Sequence, residues 1–399
     1  MIEIKEKSQC CGCTACSSIC PKKAIVMKKD EEGFMYPIID KSKCINCELC
    51  EKVCPIKNAK ENKKVQNAYI FQNADDRIRR ESTSGGAFTA IAEYVIENNG
   101  IVYGAIFDDK YNVIHKGIDK KEELYKFRNS KYVQSEMGNC YCEIKKYLES
   151  EKLVCFSGTS CQVEGLKNYL RKNYENLILV DVVCRAVPSP LIWKKYLDMR
   201  QRQYKDISRI MFRDKYYGYK YSNLSIYNKN NDKKQEYHKG VDSDPYLRAF
   251  FSNICDRPSC YDCRFKKLHR ESDITIWDCF EVEKYNKCFD DDKGTSRVLV
   301  HTDKGRNIIN LLSKKNKVQE IDVEKATNGF LAMFQSVKKN MKRKQFFEDA
   351  NQLTDEELFN KYFADTIKVK IERYGRLALL KTGIYKPILN LGKKIRKRD

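Results

Sequence analysis

Hydrophobic positions along the chain change their spacing several times, and each change marks an element. AIVMKKDEEGFMYPIID, over 24–40, reads as two short strands around a turn at Glu32-Gly33. Over 87–97 the apolar residues fall at helical spacing, and Ser84-Gly85-Gly86 sits where that helix begins. KLVCFSGTSCQVEGLKNYL follows strand–loop–helix order: a strand over 153–156, a loop over 157–160, and a helix starting near Cys161. NLILVDVVCRAVPSP is a continuous apolar run that ends at Cys184 before a proline-broken loop, the pattern of a strand covered on both faces. SDITIWDCF reads as a further strand and carries Asp273 and Asp278. The final stretch reads as mostly helical and strongly basic, and the polar segment over 58–67 reads as a linker. These elements predict a mixed α/β body, in which ligands gather at the C-terminal ends of strands. Cys161 and Cys184 both fall there.

The first sixty residues follow another logic. Cys10, Cys13, Cys16 and Cys20 fit C-x2-C-x2-C-x3-C with Pro21 next, and the pattern recurs at Cys44, Cys47, Cys50 and Cys54 with Pro55 next. This is the spacing of bacterial two-cluster ferredoxins, whose fourth cysteine ligates the other cluster. The expected sets therefore cross: Cys10, Cys13, Cys16 and Cys54 for one 4Fe–4S cluster, and Cys44, Cys47, Cys50 and Cys20 for the second. The hairpin between the motifs agrees with this. Two zinc sites are the competing reading, but zinc ordinarily uses two well-separated CxxC pairs. Cys11 lies outside the pattern and receives no role.

Composition narrows the picture. The chain has 399 residues, 42% of them hydrophobic, and 19 cysteines. No apolar run approaches the roughly 18 residues of a membrane span, and MIEIKEKSQC lacks the apolar core of a signal peptide. A cytosolic address is the expectation, where close cysteines signal metal or redox chemistry rather than disulfides. The net charge of +21 is compatible with nucleic acid, an anionic membrane or phosphate-bearing ligands. It is equally compatible with a solvated lysine-rich surface. No zinc-finger, RRM or helix-turn-helix pattern supports nucleic-acid binding.

Sparser marks lie further along. Ser84-Gly85-Gly86 at a helix start suits close approach of a phosphate, or is a plain cap and turn. Cys260 and Cys263 form a CxxC, with Cys255 five residues before the first of them. Together with Cys161 and Cys184 they could make a third four-thiolate site, or each could be a packed core residue. His115, His238, His269 and His301 show no ligand spacing. Over 373–399 nine basic residues face one acidic residue, with leucines and isoleucines interleaved. Such a segment lies on an anionic membrane surface or is a solvated tail; Gly383, Pro387 and Gly392 interrupt its helix.

STSGGAFTAIAEY, RNSKYVQS (128–135), FSGTSCQVEGLK, DVVCRAVPSP, CYDCRFK and SDITIWD occur in the order found in a known family. The chain resembles the beta subunits of coenzyme F-420 hydrogenases and dehydrogenases, iron–sulfur flavoproteins. Relatives include the plant 7-hydroxymethyl chlorophyll a reductase and bacterial proteins encoded with polysaccharide-synthesis genes. The resemblance implies a two-cluster ferredoxin module over 1–60 and a flavin-binding α/β body in two parts, over 65–150 and 151–315. A helical basic extension then covers 316–399. It implies FAD lined by Ser84, Gly85, Gly86, Ser130, Lys131 and Tyr132, with Thr159 and Gln162 on a loop that approaches it. It also implies a further 4Fe–4S cluster in some members, which maps here onto Cys161, Cys184, Cys260 and Cys263.

Three departures stand beside these positions. Ser160 replaces the proline of GTPCQ. Arg185 and Ala186 follow Cys184 where the family has His-Gly. Trp277-Asp-Cys-Phe-Glu281 replaces GDFWG. A guanidinium at Arg185 would favour an anionic reduced flavin or an anionic substrate.

The implied function is an oxidoreductase that passes electrons between the clusters, FAD and a hydride-type coenzyme or a small organic or glycan substrate, with a redox protein or reduced coenzyme as partner. Clusters carry single electrons, whereas a flavin handles one or two. Two other readings remain. One is a non-catalytic electron-transfer subunit serving a partner enzyme; the other is a nucleic-acid-binding protein with structural clusters.

Overall fold

A computed structural model describes residues 1–59, 66–229 and 236–382. The strands, in chain order, are β1 (Ile25–Lys29), β2 (Met35–Ile39), β3 (Asn67–Gln72), β4 (Ile101–Phe107), β5 (Val113–Ile118), β6 (Val154–Thr159) and β7 (Leu177–Val182). They continue with β8 (Ile207–Asp214), β9 (Asn223–Asn228), β10 (Tyr237–Gly240), β11 (Ile274–Asp278), β12 (Ser296–Val300) and β13 (Lys317–Ile321).

Eight of them form one mixed sheet in the order β13-β3-β12-β11-β7-β6-β4-β5. Its inner strands β11, β7, β6 and β4 run parallel. Strands β5, β12, β3 and β13 add antiparallel flanks. Alternation along the strands explains the continuous apolar runs. Val154, Phe156, Leu177 and Leu179 face one side, packed with residues of helices Cys140–Glu149 and Ser160–Leu170. Cys155, Ile178 and Val180 face the other, packed with helices Ala87–Glu97 and Asp303–Leu312. Both faces of the sheet are covered, so no polar alternation survives in its centre.

Two boundaries differ from the sequence reading. The expected loop at 157–160 is mostly strand: Ser157, Gly158 and Thr159 pair with Val180, Asp181 and Val182 of β7. Ladder hydrogen bonds to a parallel neighbour outweigh the turn propensity of Ser-Gly-Thr. The helix starts at Ser160, and Cys184 lies two residues beyond the end of β7. The segment 316–399 is also not wholly helical, since its residues Lys317–Ile321 form the edge strand β13. Its helices Arg343–Gln352 and Asp355–Phe363 bury Phe346, Phe347, Leu358 and Phe359 in the same core as Trp193, Tyr196 and Tyr246. They are part of the body. The antiparallel sheet β10-β9-β8 was not foreseen. Most of the expected linker, at 60–65, and the basic segment over 383–399 lie outside the described residues.

The hairpin β1-β2 forms as expected and is held to the body by a buried ion pair. Arg343 donates from Nη1 to Glu32 Oε1 at 2.7 Å and from Nη2 to Glu32 Oε2 at 2.5 Å. Loss of one partner strands a buried charge, whereas replacing both with apolar residues does not. Arg343→Met should therefore lower stability to denaturant by roughly 3–5 kcal/mol. The double variant Glu32→Leu/Arg343→Met should recover most of that; equal losses in the single and double variants would contradict the assignment.

Candidate iron–sulfur and cofactor site

Each CxxC run folds as a tight loop leading into a short helix, Ala15–Ile19 in the first motif and Leu49–Lys52 in the second. Cys20, Cys44, Cys47 and Cys50 wall one small pocket with Met1, Ile25 and Ile39. Cys10, Cys13, Cys16 and Cys54 gather on the other side. Burial, followed by the charges of Cys10 and Cys54, pushes the Cys16 thiol up. Cys13 feels Cys10 and Cys16, and Cys54 feels Cys10. Cys20 thus stands with the second motif's cysteines, and Cys54 with the first motif's.

The first group faces the body. A cavity of about 470 Å³ opens at the C-terminal ends of β4, β6, β7 and β11, and Cys11 is part of its wall. That is where open α/β sheets bind ligands. Ser84, Gly86, Ser130, Lys131, Tyr132, Thr159, Gln162, Cys161 and Cys184 all line it. Gly85 stands behind the wall: a Cβ there would lie 2.2 Å from the Phe71 carbonyl oxygen and 2.5 Å from Ser296 N.

Several of these side chains are already engaged with the protein. Lys131 Nζ donates to the carbonyls of Lys126, Arg128 and Asn129 at 2.7, 3.0 and 3.3 Å, and desolvation pulls its pKa down to about 7. Its ammonium closes the turn Lys121–Phe127. Gln162 Oε1 accepts from Thr159 N at 2.9 Å and caps the helix that bears Cys161, while its Nε2 donates to Ser135 Oγ at 3.0 Å. Ser130 N donates to Thr83 Oγ1 at 2.7 Å. Tyr132 accepts from Arg213 Nη1 at 3.0 Å, and Arg213 pairs with Asp278 at 3.1 Å.

Other wall residues hold buried polar atoms without a partner: His115 Nδ1, Arg128 Nε, Arg185 Nε and Trp277 Nε1. His115 donates to or accepts from nothing at Nδ1, while Nε2 meets the Ser157 carbonyl at 3.0 Å. Desolvation lowers its pKa to about 4. A neutral imidazole that donates through Nε2 presents Nδ1 as an acceptor. Orphaned polar atoms on an aromatic-lined wall suit a planar cofactor carrying both donors and acceptors, as a flavin does. Arg185 turns its Nη2 to the Phe251 carbonyl and to Asn253 Oδ1, at 3.2 and 2.8 Å, and lies over the Phe251 ring.

Cys260 and Cys263 do not reach the cavity. They sit behind it on and after the turn Pro258–Cys260, where Cys184, Cys260 and Cys263 each feel the charge of Cys161. Among the described residues no three His, Cys, Asp or Glu side chains converge on a point where one metal ion would sit. A cubane instead offers four separate iron corners to its cysteines. Cys255 is a fully buried core residue.

The replacement of proline by Ser160 has a structural account. Ser160 Oγ donates to Asp181 Oδ2 at 2.6 Å and accepts from Arg270 Nη1 at 2.6 Å. Asp181 also meets Arg270, Ser272 and Thr275. Burial alone would raise its pKa, but Arg270, Ser160 and Thr275 outweigh that and keep it ionised.

Sequence reasoning gave no site role to His115, Arg213 or Cys11, and named Trp277 only as part of a departing segment beside the site. Arg128, Asn129, Gln134 and Ser135 lay inside the quoted RNSKYVQS stretch and also line the cavity. His115 and Arg213 sit in strands with no local signal.

Comparison with known proteins agrees with this layout. Residues 9–58 match a 4Fe-4S dicluster domain, so the chain joins such a module to an α/β body. Residues 68–140 match the N-terminal part, and residues 151–326 the C-terminal part, of the coenzyme F420 hydrogenase/dehydrogenase beta subunit. The chain belongs to that family. No curated protein matches it. The structure is similar to a chain of the F420-reducing [NiFe] hydrogenase complex from Methanosarcina barkeri, at 14% identity and a TM-score of 0.46, covering 78% of this chain and 96% of that one.

Asp256 supplies a pH test. Both its carboxylate oxygens are buried without a partner, and desolvation raises its pKa to about 7. In the unfolded chain it titrates near 4. The folded form therefore keeps a proton that the unfolded form releases, and stability falls as pH rises from about 4 through 7. Asp256→Asn should match the parent near pH 4 and exceed it by roughly 2–4 kcal/mol above pH 8, read from denaturation curves across pH.

Proposed function

We propose that this protein is an iron–sulfur flavoprotein oxidoreductase. Electrons pass between its two 4Fe–4S clusters, FAD in the cavity, and a hydride-type coenzyme or small organic substrate. The observation that carries this reading is the seat of the first cysteine motif: its loop contributes Cys11 to the wall of the cavity. Family membership supports the same layout.

Cys10, Cys13, Cys16 and Cys54 would hold the inner cluster, and Cys20, Cys44, Cys47 and Cys50 the outer one. Cys161, Cys184, Cys260 and Cys263 would hold a third. Cys47 is exposed and Ile45 is 57% exposed, so the outer set lies where an external redox partner can reach it. A bound flavin would supply the exchange between single electrons and hydride. The chain's own residues position the ligand. Ser84, Gly86, the 128–135 stretch, Cys184 and Arg185 all border the cavity. His115 offers a neutral acceptor, Trp277 an N–H donor and Arg185 positive charge for an anionic group, while Arg128, paired with Glu81 at 2.5 Å, offers a free Nε–H. Phe88, Phe127, Phe250 and Phe330 keep the walls apolar.

Anaerobic purification with iron, sulfide and flavin assays tests the proposal. The expected result is one FAD and at least about eight irons per chain, two cubanes' worth. Cys161→Ser and Cys184→Ser should each lower iron by about one cubane while leaving the two-cluster EPR signal of the N-terminal module intact. Flavin-free protein with full clusters would instead support a non-catalytic electron-transfer subunit. Unchanged iron in both variants would leave these cysteines as packing residues.

A further inference from the structure

The helix Ile367–Lys381 is held to the body along one side only. Arg248 Nη1 donates to the carbonyls of Phe363 and Ala364 at 2.8 and 3.0 Å, and Lys239 pairs with Asp365 at 2.9 Å, so the approach to the helix is fixed. Val369 N donates to Thr366 Oγ1 at 3.4 Å, which caps the helix start. Val369 is buried. Seven residues on, along the same face, Arg376 pairs with Asp242 at 3.4 Å, and that carboxylate is withdrawn from solvent. These contacts set which side of the helix meets the protein.

The opposite side is apolar and open. Ile367, Ile371 and Tyr374 are 76%, 67% and 59% exposed. They follow i, i+4, i+7 spacing, and exposed Ala378 extends the row by another turn. The helix could bury this row only by rolling over, which would expose Val369 and break the pair of Arg376 with Asp242. Single exposed apolar residues are ordinary on a protein surface; a continuous row of them marks a contact surface.

The charges beside the row say what covers it. On a helical projection exposed Lys368 stands on one flank and exposed Lys370 on the other. The Arg373 guanidinium lies 4.6 Å from the centroid of the Tyr374 ring. Glu372, the one acidic residue of the helix, accepts from Arg376 Nη2 at 2.5 Å. The sequence over 383–399 adds six basic residues against one acidic, with Ile384, Ile388, Leu389, Leu391 and Ile395 among them. A second copy seated on this face by two-fold symmetry would set the same lysines against one another. A lipid bilayer with anionic headgroups meets both demands, since it is apolar within and negative at its edge.

We propose that the helix Ile367–Lys381 lies in the plane of an anionic lipid surface. Ile367, Ile371 and Tyr374 enter the headgroup–acyl boundary, and Lys368 and Lys370 meet lipid phosphates. No described helix is long and apolar enough to cross a membrane, so the contact made by this helix is peripheral. The proposal does not depend on which cofactor the cavity holds.

Full-length holoprotein should sediment with phosphatidylcholine–phosphatidylglycerol vesicles, less so as salt rises, and remain free of pure phosphatidylcholine ones. Ile367→Ser/Ile371→Ser/Tyr374→Ser keeps every charge and should weaken this binding by about tenfold or more, with iron content unchanged. Lys368→Gln/Lys370→Gln keeps the apolar row and should weaken it by about tenfold. Tyr374→Trp reports depth directly: its fluorescence should be quenched by brominated acyl chains in anionic vesicles, over a low background from the buried Trp193 and Trp277. Equal binding by the triple variant, or equal binding to both vesicle types, overturns the proposal. So does a Tyr374→Trp protein that binds vesicles without quenching, because the contact would then belong to the segment 383–399 alone. A dimer in solution that the triple variant abolishes overturns it as well, since a second copy would then cover the row.

Discussion

The site depends on one buried cation. Arg257 is 1% exposed, and each of its nitrogens has a partner across the boundary between the cysteine-rich module and the body or beside it. Nε donates to the Cys10 carbonyl, Nη1 to Gln134 Oε1 at 2.7 Å, and Nη2 to the Met35 carbonyl at 2.9 Å. Its plane lies over the rings of Tyr36 and Phe34. A guanidinium can satisfy this geometry because its donors are fixed in a planar fork; an ammonium could not. Once it is placed, the cluster loop, the hairpin behind it and the 128–135 stretch form one unit. A buried charge that is fully hydrogen-bonded tolerates little displacement, because any shift leaves it unpaired in a medium that cannot solvate it.

A second buried charge does the same work on the other side of the cavity. Asp181, on the central strand β7, collects Ser160, Ser272, Thr275 and Arg270. This ties the start of the Cys161 helix to the strand that leads to Cys184 and to the turn before β11. Both arrangements convert burial into fixed geometry, and between them they set the spacing from the first cysteine motif to Cys161 and Cys184. A proline at Ser160 would hold the helix start by its ring alone. This chain holds it by charge and hydrogen bonds.

How much of this was legible in the sequence follows from the range of the interactions. The cysteine motifs, the hairpin, the helix over 87–97 and the βα units are written in local spacing, and all were readable. The early end assigned to β6 failed because Ser-Gly-Thr has turn propensity but finds a parallel partner 23 or so residues later, Asp181 standing opposite Gly158. The edge strand β13 was hidden for a similar reason, since KVQEI gains its strand character only beside β3. His115 was dismissed because it has no ligand spacing; its position comes from β5 pairing with β4, which brings it to Ala105 and the cavity. Gly85 was read as a wall residue, but its lack of a side chain serves the close approach of the sheet. Lys131 and Gln162 carry polar groups that suit a cofactor, yet those groups are largely spent on turn and helix caps.

This layout explains why the crowded first motif is placed where it is. Electron transfer between fixed centres needs a constant separation more than it needs mobile parts, and a two-cluster module on a flexible tether would not provide it. Here the outer cysteine set opens toward solvent, while the inner one is pressed against helix Ser160–Leu170 and pinned by Arg257. The asymmetry gives the module a direction: the outer set is reachable from solvent, and the inner one stays against the cavity. The extra cysteine in the first motif, Cys11, falls at that pinned end and lines the cavity.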